Sequence, residues 1–328
     1  PSLAIWCGAN ELYNNWSATT DQSLAVRLLN ALCYRLSPEI PFNATSPLNG
    51  MAHGNYLFYW EGRDIFQLIN DSHFTAYTEF GVPGISPREV LEKIIPPEEL
   101  FPPRPGTAWE EHHAFGAWDG SPATWLGEPT IERYFGRAQT LDQLIERSSL
   151  MQGEGYKAVF EEARRQKPYC AMALNWCFDE PWPAAANNSL VAYPSVPKPA
   201  LDQVRRACRP LCASARIAKF DWTEGELFEA EVWLLNDRFA AAGPFSFTVT
   251  LRDAGQTVEI LRWESPAAGQ NRNVAGPTAR AALPAWDTDR FRVEITVEGH
   301  PEMDACYTLA YRRAARKQAG TAPMNITE

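Results

Sequence analysis

The hydrophobic pattern divides the chain in two. Up to about residue 210 the apolar residues come as short continuous runs that end in polar groups: Ser2 to Glu11, Phe74 to Gly81 and Tyr169 to Phe178. Runs of this kind suit strands buried on both faces of a parallel sheet. Between the first two, Asp21 to Arg35 places Leu24, Leu28, Leu29 and Leu32 at helical spacing, with Asp21 available as a cap. Pro41 to Ser46 and Gly54 to Trp60 read as two further strands, joined by a link too short to hold a helix. Asp64 to Ile69 and Pro87 to Ile94 predict short helices. Leu141 to Gln166 predicts two helical segments broken near Gly153 and Gly155, and Pro199 to Ala207 a closing helix.

Past Arg209-Pro210 the period changes to two. Phe245 to Leu251 and Phe291 to Val297 alternate cleanly, Leu227 to Leu235 alternates in part, and Cys306 to Tyr311 adds another strand. Turn residues punctuate these runs, which predicts an all-β, immunoglobulin-like sandwich of about a hundred residues. The expected organisation is an α/β region over 1–210, the sandwich over 211–313 and a tail over 314–328.

Composition narrows the chemistry. With 45% hydrophobic residues and 12 tryptophans among 328 residues, the chain can build a sizeable core and still offer flat apolar surfaces of the kind that carbohydrate sites use. The net charge of −10 argues against a nucleic-acid partner, which needs clustered positive surface. The one basic run, Arg312 to Lys317, falls in the tail. No apolar run reaches the length of a membrane span. Seven cysteines are an odd number, which argues against a pure disulfide framework, and Cys208 and Cys212 lack the neighbours of a zinc site. No spacing of ligand residues predicts a metal or a cofactor. The segment at Pro1 resembles no targeting signal, and localisation stays open.

Two carboxylates turn this outline into a chemical expectation. Glu11 and Glu79 close two of the apolar runs, and in a β/α barrel the catalytic groups stand at the C-terminal ends of the strands. A pair of carboxylates so placed is what glycoside hydrolysis requires. In the same region the chain resembles glycoside hydrolase family 2, most closely its β-mannosidase and exo-β-glucosaminidase branch. Three segments bear that resemblance: Trp6-Cys7-Gly8-Ala9-Asn10-Glu11, Thr78-Glu79-Phe80-Gly81, and Asn175-Trp176 through Trp182-Pro183 with Tyr193 to Pro199.

The resemblance implies a retaining mechanism on strands 4 to 8 of a TIM (β/α)8 barrel. Glu11 would be the acid/base, protonated at the first step, and Glu79 the ionised nucleophile. Asn10 would hydrogen-bond the sugar 2-hydroxyl, and Trp176 would form the floor under the ring. Of the aromatics on the sixth strand, Tyr59 and Trp60 are expected at the substrate, and either Tyr56 or Tyr59 on the nucleophile. Asp179-Glu180 stands where the family often has Asn-Asp, so a polar role for Glu180 is open, as is a place for Trp182 at the sugar. His53, His112 and His113 could touch substrate or satisfy loop carbonyls, and the second reading is favoured.

The resemblance also implies that strands 1 to 3 lie outside this chain, so that it needs the N-terminal part of the barrel, or a partner chain, and has little activity alone. Glu11 and Glu79 are 68 residues apart (79 − 11), against about 94 for three average barrel units, so one helix of the ring is expected to be lost or shrunk. Glu79 and Trp176 are 97 apart (176 − 79), which enlarges the intervening loop, and Trp109, Trp118 and Trp125 on it are expected to wall the sugar site. The competing expectation is a non-catalytic carbohydrate-binding or scaffold protein on a degraded barrel. The retention of Asn10, Glu11 and Glu79 argues against it.

Overall fold

A computed structural model describes residues 2–13, 17–116, 125–253 and 255–314. The first strand, β1 (Trp6–Cys7), pairs in parallel with β2 (Phe42–Asn43), and the helix α1 (Leu24–Leu36) connects them. Asp21 does not cap α1: Ser23 occupies the N-cap, without a side-chain bond. The next strand is β3 (Met51–His53), earlier than the aromatic run suggested. Within that run Tyr59–Trp60 instead forms a short antiparallel pair with Arg63–Asp64.

Residues 44–50 join β2 to β3 without a helix, and a cavity of about 370 Å³ lies beside β3, lined in part by Met51, Leu68, Phe74 and Val159. The short helix α2 (Ile65–Asn70) follows. Asp64 and Gln67 cap it reciprocally, and Asp64 Oδ2 also accepts from the Phe220 N–H at 2.9 Å. Strand β4 (Ala76–Phe80) then runs parallel between β3 and β5 (Ala173–Asn175). The pair β1-β2 and the three-stranded sheet β3-β4-β5 are separate in their pairing and together trace a curled half-barrel.

Helices α3 (Arg88–Ile94), α4 (Glu128–Phe135) and α5 (Leu141–Arg165) lie between β4 and β5 in sequence. The break expected near Gly153 and Gly155 does not occur: α5 is one 25-residue helix. The two glycines serve contact. A Cβ on Gly153 would lie 2.8 Å from the Gln203 side chain, and one on Gly155 3.0 Å from Val82. Gly153 thereby lets α6 (Ala200–Ala207) close on α5.

The remaining strands make two sheets. β6 (Leu211–Ile217), β8 (Leu227–Asn236) and β11 (Val274–Ala282) form one, in the order β6-β8-β11. The other has the order β7-β13-β12-β9-β10, from β7 (Asp221–Thr223), β9 (Phe245–Arg252), β10 (Thr257–Ser265), β12 (Arg290–Val297) and β13 (Ala305–Arg312). β10 and β11 were not legible in the pattern, because Val274–Ala282 is rich in small residues and β10 is half-exposed along most of its length.

The two regions meet along α5. Glu161 Oε2 accepts from both Ser214 Oγ and Tyr307 OH at 2.6 Å, and Glu154 Oε1 accepts from the Thr308 N–H at 2.9 Å. All seven cysteines are free thiols.

Candidate active site

The C-terminal ends of β1 to β5 gather the chemistry. Glu11 follows β1 in a turn with φ of 49°, a left-handed conformation that few non-glycine residues adopt. The turn is held from beneath: the Glu11 N–H donates to Ser46 O at 2.8 Å, and the Leu12 N–H donates to the buried Thr45 Oγ1 at 3.1 Å. Asn10, also at this corner, makes a parallel bridge with Ser46 and keeps its side chain exposed. Glu79 is the penultimate residue of β4, in register with His53 at the end of β3.

His53 joins the two carboxylates. Its Nδ1 lies 3.0 Å from Glu11 Oε1 and 3.0 Å from Glu79 Oε2, and its Nε2 lies 2.9 Å from Ser46 Oγ. One oxygen of each carboxylate and one imidazole nitrogen all lie within 4.8 Å of one another. Here the expectation for His53 is corrected: it satisfies no loop carbonyl but bridges the two glutamates. Its signal in the sequence was weak, because the strand that ends in His53 has three residues. Among the tyrosines, Tyr56 donates to Glu79.

Burial raises the Glu79 carboxyl above the ordinary range, and Glu11 raises it further, while His53 and the Tyr56 hydrogen bond favour the ionised form. Burial likewise raises Tyr56, reinforced by the charges of Glu79 and Glu11.

Trp176 follows β5, with its backbone N–H on Phe80 O at 2.7 Å and the residue 39% exposed. Tyr56 meets it edge-on at 5.8 Å and Trp125 backs it at 6.0 Å. Trp182, also exposed, lies over His112 and His113 at 6.1 and 6.3 Å. His112 Nδ1 is 2.8 Å from the Pro183 carbonyl, the kind of contact expected for it, and His113 faces Trp125.

Other expected residues stand elsewhere. Tyr59 packs on Tyr134 with the Arg133 guanidinium 4.1 Å above its ring, and Trp60 is exposed on the short hairpin. Trp109 cannot wall a sugar site, since it is fully buried with its indole N–H on Glu99 O at 3.0 Å. Trp125 is buried too and stands behind Trp176. Trp118 lies outside the described residues. Glu180 is closed off: it pairs with Lys198 at 3.0 Å, both side chains wholly buried, and accepts from Ser189 Oγ and the Tyr193 N–H. Burial lowers the Lys198 ammonium, against the pull of Glu180.

The fold is similar to that of solved glycosidases. It matches a β-D-mannosidase from Dictyoglomus thermophilum at 19% identity with a TM-score of 0.68, over 94% of this chain and 38% of that one. It also matches an Amycolatopsis orientalis exo-chitosanase in complex with PNP-β-D-glucosamine, at 14% identity with a TM-score of 0.66, over 88% of this chain and 35% of that one. The chain thus spans well under half the length of these structures. No protein-family model matches it, and no curated protein does. What the matches establish is a glycosidase-like fold.

Proposed function

We propose that the chain is the C-terminal part of a retaining exo-β-glycosidase of the family 2 type, with residues 1–210 forming strands 4 to 8 of the catalytic barrel and 211–313 a β-sandwich. The observation that supports this most is the convergence of Glu11 and Glu79, with carboxylate oxygens within 4.8 Å of each other at the ends of parallel strands. Retaining glycosidases hold their two carboxyl groups about 5–5.5 Å apart, and inverting enzymes set them wider.

Glu79 is the nucleophile in this reading. The Tyr56 hydrogen bond and the nearby His53 favour its ionised form, and it attacks the anomeric carbon as the glycosidic bond breaks. Glu11 gives its proton to the departing oxygen, then takes one from the water that hydrolyses the glycosyl–Glu79 ester. The His53 Nδ1–H hydrogen-bonds Glu11 while Glu79 is free, with Glu79 equally near, and so is in place to hold Glu11 once Glu79 is esterified and Glu11 has lost its proton. Asn10 holds the sugar 2-hydroxyl, and Trp176, braced by Tyr56 and Trp125, is the platform under the ring. No metal or other cofactor enters these steps. The solved neighbours make terminal β-mannosides and β-glucosaminides the first substrates to try. The reading assigns strands 1 to 3 to a preceding part of the protein or a partner chain, and expects little turnover from this chain alone.

A 2-deoxy-2-fluoro-β-glycoside with a good leaving group tests the assignment, because it accumulates the glycosyl-enzyme. With the rest of the barrel supplied, the label is expected on the peptide containing Glu79, and Glu79→Gln abolishes both label and turnover. A label on another residue would sink the assignment. Ligand binding that survives Glu79→Gln, from a protein that never turns over, would favour the non-catalytic binder.

A further inference from the structure

Glu11, His53 and Glu79 stand at or just past the ends of three strands, are far apart in sequence, and present one nitrogen and two oxygens to a common point. Tetrahedral zinc, with bonds of about 2.0–2.2 Å, sets its ligand atoms about 3.3–3.6 Å apart. The two His53 Nδ1 separations of 3.0 Å therefore need to open only slightly, and the carboxylates can hinge about their own torsions to close the third side.

The surroundings are also those of a metal ligand set. A metal-bound imidazole donates its other ring N–H to a fixed oxygen, and ligating carboxylates are themselves hydrogen-bonded. Ser46 Oγ stands 2.9 Å from His53 Nε2, and Tyr56 donates to Glu79. The donor set selects the cation. An imidazole with two carboxylates suits zinc and its borderline neighbours, whereas magnesium and calcium prefer shells built of oxygen. All three side chains keep some exposure, which leaves room for water at the remaining positions.

We propose that Glu11, His53 and Glu79 form a binding site for a divalent transition-metal cation of the zinc class, and that the cation and the sugar exclude each other there. Only the exclusion rests on the reading of Glu11 and Glu79 as the catalytic pair; the binding does not. A bound cation ties up both carboxylates, so it inhibits and takes no part in turnover. The sequence hides such a site because its ligands fall at 11, 53 and 79, with no short spacing between them.

The test is calorimetric titration of the full chain with Zn²⁺, with Co²⁺ as a coloured stand-in whose visible bands report nitrogen and oxygen ligands in a low-coordinate shell. The expected result is saturable one-to-one uptake. Glu79→Gln and His53→Asn, each checked for folding by circular dichroism, abolish that uptake. Ser46→Ala weakens it by about 10- to 100-fold, the usual effect of losing an outer partner. The double variant Cys208→Ser with Cys212→Ser leaves it unchanged. The site is refuted by the absence of saturable uptake, by uptake that survives both Glu79→Gln and His53→Asn, or by uptake lost with the two cysteines. None of these readouts needs turnover, so the metal site and the glycosidase reading can fail separately.

Discussion

At the scale of single residues, Glu79 is held at a thermodynamic disadvantage that its chemistry explains. Burial raises its carboxyl in the folded chain above the unfolded value. The folded state then binds the proton more tightly than the unfolded one, so this group's contribution to stability is complete below the unfolded value of about 4.3 and is lost as pH rises through the folded value. Glu79→Gln removes the buried charge and can still accept from Tyr56. It is expected to melt above the parent chain near neutral pH, with the gain vanishing by about pH 4, where both forms are uncharged. Thermal unfolding across that pH range checks it, and a gain independent of pH would mean that the charge is not the cause. Glu11 and Glu79 could be read in the sequence because each ends an apolar run. His53, Ser46 and Thr45 could not. They act through contacts across strands, and a three-residue strand is too short to show a period.

At the scale of elements, α5 decides how the two regions sit together. A helix with two glycines reads locally as broken. Its glycines instead admit neighbouring chains, and its charges are buried against β6 and β13. Such a pattern is invisible until the partners are known, whereas the alternating strands β9 and β12 could be read directly because each buries one face. Glu161 is the hub of this seam, accepting from Ser214 and Tyr307, with Arg165 Nη1 3.5 Å away. Removing one member of a buried charged network strands the others without partners, at a cost of about 3–5 kcal/mol. Glu161→Ala is therefore expected to destabilise the chain by that amount in urea titration. Tyr307→Phe, which removes a single donor, is expected to cost about 1–3 kcal/mol. Equal effects from the two would place the importance in the single Tyr307–Glu161 hydrogen bond and not in the rest of the charged network.

At the scale of the whole molecule, the half-barrel sheet leaves a face uncovered. Only Val26 of α1 is buried, while Leu24, Leu28, Leu32 and Leu36 lie four residues apart along one side of the helix, with Leu24 72% and Leu36 73% exposed. Residues four apart share a helical face, so this is an apolar stripe and not scattered surface leucines. Among the described residues, β1 pairs only with β2, and β5 only with β4. Each leaves an edge with unpaired backbone groups, a template for another chain. Charge does not blunt the stripe, since α1 has only Arg27 and Arg35 along it. The chain is therefore expected to self-associate in sedimentation experiments, more strongly at high salt, as apolar contacts do. Leu28→Glu with Leu32→Glu shifts it toward the monomer. Because neither leucine is buried within the chain, the same pair of changes is expected to leave unfolding free energy within about 0.5 kcal/mol per site. Loss of stability alongside the change in association would mean that α1 packs inward in solution; unchanged association would move the contact to the open strand edges.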